Sequence, residues 1–209
     1  MVRALPPSII GLALLAFIPA TEAAPPGTII PAYMWAQDAS WDVLLSTAAD
    51  SSMPRDNIHI VVNANNGVTG SLADTEKGIW QQLADRVQPA GRLLAYINLC
   101  DRVPPFDTCG DAQLQGARPA GETLQYVADW IDMLGADRID GFFLDDTPMN
   151  GLNGDNIAEI ITGIRAQNNN FFVVTNPGTA ATDRALVDMV DATVYVENSD
   201  PSGAGTTHL

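Results

Sequence analysis

Short apolar runs rich in β-branched and aromatic residues alternate along this chain with stretches whose apolar residues recur at helical spacing. That alternation restricts the fold more than any other feature. The runs are Thr28 to Met34, Ile58 to Asn63, Leu93 to Asn98, Ile139 to Asp145, Phe171 to Asn176 and Ala192 to Glu197. Each is almost continuously apolar, as expected of a strand covered on both faces of a parallel sheet. Between them, Ile79, Trp80, Leu83 and Val87 mark one helix face, Leu124, Val127, Ile131 and Leu134 a second, and Ile157, Ile160, Ile161 and Ile164 a third. Trp41 to Ala49 and Asp183 to Val190 are weaker helical stretches in the remaining gaps. Parallel neighbours need a crossover, usually a helix, so the pattern predicts an α/β fold of six strand–helix units.

Two architectures carry such units. An open doubly wound sheet often places a glycine-rich phosphate loop after its first strand, but here that strand runs into Pro31-Ala32-Tyr33-Met34-Trp35. Asn66-Gly67-Val68-Thr69-Gly70 lacks the lysine of a nucleotide loop and reads as a turn in which Asn and Gly supply left-handed backbone. A TIM-type (β/α) barrel is therefore expected, with six units readable and the last two, needed for closure, beyond the readable pattern.

The first residues set the expected compartment. Arg3, an apolar run from Ile9 to Ala20 that is too short to span a bilayer, and the small-residue site around Thr21-Glu22-Ala23 read as a signal peptide over residues 1–23. The remainder, 24–209, has the length of a single domain, expected to be secreted or periplasmic. The chain has 2 cysteines, Cys100 and Cys109, and in an exported protein these predict a disulfide closing the loop between them. A net charge of -15 argues against nucleic acid, whose phosphates need a basic surface, and disfavours an anionic membrane, while a cationic partner would be attracted. His59 and His208 are the only histidines, which argues against both a zinc site and a Ser-His-Asp triad, and no cofactor is expected.

Ligands of parallel sheets gather at the carboxyl ends of the strands. These strands end in Tyr33 and Trp35, Asn63, Tyr96 and Asn98, Asp145 and Asp146, Asn176, and Tyr195 and Glu197. Aromatic faces stack on sugar rings, amides bond hydroxyl or acetamide groups, and paired acids hydrolyse glycosides. Tyr33, Trp35, Asn63, Tyr96 and Asn176 are candidates for substrate binding. Asp145 and Asp146 are adjacent, so regular pleating sends only one of them into the barrel mouth. Asp140, just before Gly141, reads as a strand-start residue rather than a catalyst.

In order along the chain, Pro31-Ala32-Tyr33 with Trp41-Asp42, Ile60-Val61-Val62-Asn63 with Gly67 and Gly70, Ala95-Tyr96-Ile97, Asp140 to Asp146, Asn176-Pro177-Gly178-Thr179 and Val196-Glu197 resemble the spherulation-specific (spherulin 4) family. That family includes secreted glycoside hydrolases of galactosamine-containing exopolysaccharide. The resemblance implies a β/α barrel whose catalytic acids are an Asp-Glu pair on the fourth strand and a Glu on the sixth, here Asp145, Asp146 and Glu197. Position 146 departs from the pattern by one methylene. The resulting expectation is a glycosidase in which Asp145, short and stiff, acts as nucleophile and Glu197 as general acid and base; alternatively, the substrate's N-acetyl group attacks and a protein acid orients it. Its partner would be a polysaccharide, and a monomer is expected. Two other readings stand beside it: a non-catalytic carbohydrate-binding or cell-surface protein on the same barrel, and a hydrolase using Asp145 and Asp146 as oxygen ligands for a divalent cation.

Overall fold

The computed structural model describes residues 27–67, 69–99, 118–148, 154–178 and 183–194. The proposed signal peptide, Cys100, Cys109 and Glu197 lie outside the described residues. Six strands, β1 (Thr28–Ala32), β2 (Ile58–Val62), β3 (Arg92–Asn98), β4 (Gly141–Asp145), β5 (Phe172–Asn176) and β6 (Ala192–Thr193), alternate with helices α1 (Ser40–Ala49), α2 (Asp74–Val87), α3 (Ala120–Leu134), α4 (Gly154–Gln167) and α5 (Arg184–Val187). The strands form one sheet in sequential order, and every neighbouring pair is parallel. The α/β class and the unit order expected from the sequence are both present.

The sheet is curled into a half-barrel. On its concave face His59 of β2 stacks on Phe172 of β5 with ring centroids 4.4 Å apart. Three strand spacings would separate those strands by roughly 14 Å in a flat sheet, so the edges must bend toward each other. Two apolar cores follow from the pleat. Ile60, Val62, Ala95, Ile97, Phe142, Leu144 and Val173 point outward and pack with the helices, around fully buried Trp41, Trp80, Trp130 and Phe171. Val61, Leu94, Tyr96, Phe143 and Val174 point inward and form a smaller cluster.

Local chemistry sets where the elements start. Glu76 reaches back to the Ala73 N–H at 2.9 Å and holds the first turn of α2, and Asp183 accepts from the N–H groups of Ala185 and Leu186 at 3.0 and 3.3 Å to cap α5. β4 begins at Gly141 rather than at Ile139, because Asp140 turns its carboxylate onto the Leu93 N–H at 2.8 Å. Asp191 does the same ahead of β6, accepting from the Val173 N–H at 2.7 Å and from Arg165 at 2.6 Å. β1 stops at Ala32, where its pairing with Val62 ends, two residues short of the apolar run. Among the described residues no helix is long and apolar enough to cross a membrane.

Candidate active site

Register places three polar side chains in one row at the carboxyl ends of adjacent strands. Asn98 pairs with Asp145 across β3 and β4, and Asp145 pairs with Asn176 across β4 and β5. The row lies on the concave face, because Asn98, Asp145 and Asn176 are each two residues beyond the inward-facing Tyr96, Phe143 and Val174. Asn176 donates its amide N–H to Asp145 Oδ1 at 2.8 Å, and the Tyr96 hydroxyl meets Asp145 Oδ2 at 2.7 Å. Both oxygens of this carboxylate therefore accept a hydrogen bond from a neutral side chain.

Asp146 does not follow the pleat. Its φ of 51° is left-handed, a conformation that Asp tolerates better than most residues. The backbone around it is secured: Thr147 N–H donates to the Asn176 carbonyl at 3.0 Å, Leu99 N–H to the Asp145 carbonyl at 3.0 Å, and the Thr147 hydroxyl to the Leu144 carbonyl at 2.7 Å. As a result Asp146 Oδ2 lies 3.0 Å from the Asn98 amide nitrogen, in the same network as Asp145. The strand-alternation rule, applied without this turn, would have sent the second acid elsewhere.

Tyr96 is buried, and its hydroxyl also accepts from Asn98 Nδ2 at 3.3 Å. Burial, followed by the hydrogen bond and charge of Asp145, pushes its ionisation far above the usual tyrosine range, so it stays a neutral donor. Tyr33, 50% exposed, packs edge-on against the Tyr96 ring at 5.3 Å. Trp35, 44% exposed, packs edge-on against Trp80 of α2 at 5.4 Å, and its carbonyl accepts from Trp41 Nε1 at 3.0 Å. Asn63 is half-buried at the end of β2, and its Oδ1 has no hydrogen-bond partner among the described residues.

Of the residues singled out from sequence, Tyr96, Asp145, Asp146 and Asn176 are thus brought into one hydrogen-bonded network, and Tyr33 joins it through Tyr96. Trp35 sits to one side, on the helix layer. Asn98, which the sequence shows only as a strand-end amide, belongs to the same network. The signal was its spacing of two from Tyr96, which puts both on one face. Among the described residues no group of three or more His, Cys, Asp or Glu side chains is arranged to hold a metal ion.

No curated protein matches the chain. The family model described as spherulation-specific family 4 matches residues 27–204, a span that contains every strand among the described residues and all of the network just described. The chain belongs to spherulation-specific family 4.

Proposed function

We propose that this protein is a secreted glycoside hydrolase that cleaves an aminosugar-containing polysaccharide resembling galactosaminogalactan. The observation that carries the reading is the placement of two carboxylates, Asp145 and Asp146, in one donor network at the carboxyl end of a parallel sheet. The exposed ring of Tyr33 beside that network offers a surface for a sugar. A net charge of -15 favours a chain bearing free amines over an anionic polymer.

Tyr96 serves the carboxylate rather than stacking on substrate, since its ring is 4% exposed and its hydroxyl is engaged by Asp145. Asp145 attacks the anomeric carbon while Glu197 delivers a proton to the departing glycosidic oxygen. Water, deprotonated by Glu197, then attacks the same carbon and releases Asp145. Asp146, tied to Asn98, adds negative charge beside the oxocarbenium-like centre.

The experiment is reducing-sugar release from partly deacetylated galactosaminogalactan by the full chain and by Asp145→Asn and Glu197→Gln. Loss of at least about a thousandfold in either variant is expected for a nucleophile or a general acid. Unchanged turnover in both variants would refute the assignment, and polymer binding without any product from the unsubstituted protein would identify a non-catalytic carbohydrate-binding member of the family.

A further inference from the structure

We propose that Asn98 is a positioning residue whose amide aims the Tyr96 hydroxyl proton at Asp145 and ties Asp146 to the same chain of donors. The inference rests on the reading of Asp145 as the attacking carboxylate. Its basis is the directionality of the bonds. An amide nitrogen only donates, and Asn98 Nδ2 lies 3.0 Å from Asp146 Oδ2 and 3.3 Å from the Tyr96 hydroxyl oxygen. The Tyr96 oxygen is therefore an acceptor from Asn98, and its single proton goes to Asp145 Oδ2, 2.7 Å away. Without Asn98 that hydroxyl could rotate, and the preference for Asp145 would weaken.

The same amide stands between two like charges. Asp145 and Asp146 are adjacent in sequence and turned to one side by the left-handed backbone at 146. The donors of Asn98 and Tyr96 lie along the path from one carboxylate to the other, while Asn176 braces Asp145 from β5. Among the described residues, the ionisable groups that face Asp145 are Tyr96 from β3 and Asp146 directly after β4, with Tyr33 of the first strand–helix connection beyond Tyr96. Asn98 is only 5% exposed, so water does not readily replace it as a donor. Hydrogen bonds in such a chain polarise one another, and loss of the first weakens the next.

The test uses the full chain with Asn98→Ala, Asn98→Leu and Tyr96→Phe, the leucine being close to asparagine in volume in case the alanine variant leaves a disruptive gap. One readout needs no substrate. The buried Tyr96 hydroxyl proton is expected as a downfield NMR resonance that is absent from Tyr96→Phe, and that moves upfield and exchanges about tenfold faster with solvent in both Asn98 variants. The second readout is kinetic: kcat should fall about tenfold or more in the Asn98 variants with KM held within about twofold, since Asn98 acts on the acids and not on the sugar. An unchanged hydroxyl resonance and exchange rate in both Asn98 variants overturns the proposal, and so does a KM increase that matches the loss in turnover. Failure of the catalytic reading itself would show separately, as full turnover in Asp145→Asn, because the hydroxyl resonance is observed without substrate.

Discussion

Gly67 offers a test of how the loop after β2 supports the site. Its φ is +86°, and a Cβ placed on it would lie 2.8 Å from the Tyr96 carbonyl oxygen and 3.1 Å from Ile97 Cα. Both are backbone atoms of β3, the strand that carries Tyr96 and Asn98, so no side chain can swing aside to make room. In Gly67→Ala, left-handed backbone costs about 1–2 kcal/mol and overpacking about 1–3 kcal/mol, while the less flexible unfolded chain offsets about 0.4–1 kcal/mol. The net expectation is a loss of roughly 2–4 kcal/mol, read by urea denaturation at constant m-value. Any displacement of β3 that relieves the clash also moves Tyr96 relative to Asp145, so turnover should fall by about tenfold to a hundredfold. Gly78 is the control: it lies inside α2, nothing is within 4 Å of its added Cβ, and Gly78→Ala should stabilise by about 0.5–1 kcal/mol. If Gly67→Ala proved as stable as the parent, the close approach inferred between this loop and β3 would be wrong.

Two further substitutions probe the other end of the sheet. His59 is buried against Phe172, its Nδ1 has no hydrogen-bond partner among the described residues, and burial followed by the charge of Arg92 lowers its pKa below the ordinary 6.5, against opposing pulls from Asp140, Asp56 and Asp191. The unfolded chain therefore takes up this proton at higher pH than the folded one. Its contribution to stability is intact above about pH 6.5 and declines as pH falls below that value, until the folded residue also protonates. His59→Phe should flatten this part of the stability profile in denaturation series between about pH 5 and 7, and an unaltered slope would contradict the assignment. Asp191→Ala removes acceptors for the Val173 N–H and for Arg165, and should cost about 1–2 kcal/mol with faster amide exchange at Val173; protection equal to the parent would mean that Asp191 does not anchor β6.

Much of the architecture was legible because burial imposes a period. The inward and outward sets of β2 to β5 follow from alternation alone, and the helical stripes of α2, α3 and α4 were read from their isoleucines, leucines, valines and tryptophan. The boundaries were less legible. Asp140 ends the apolar run ahead of β4 by making a hydrogen bond to a strand 47 residues earlier, which nothing local announces. Asn66 and Gly67 were read as a turn from their tolerance of left-handed backbone, and both adopt it. That the glycine also presses on β3 depends on a neighbour remote in sequence.

For the site, the residue types at the strand ends were evident from sequence: acids on the fourth strand, amides and tyrosines on its neighbours. Their partnerships were not. Alternation alone put one of Asp145 and Asp146 at the mouth, whereas the left-handed turn at 146, held by Thr147 and the Asn176 carbonyl, brings the second acid back to Asn98. Likewise Tyr96 read as a sugar platform, and only the register of β3 against β4 sets its hydroxyl on a carboxylate. The physical reason is the range of the forces involved. Hydrophobic periodicity and turn preferences act over a few residues and are written locally, while hydrogen-bond direction at the mouth is decided by which strands lie side by side.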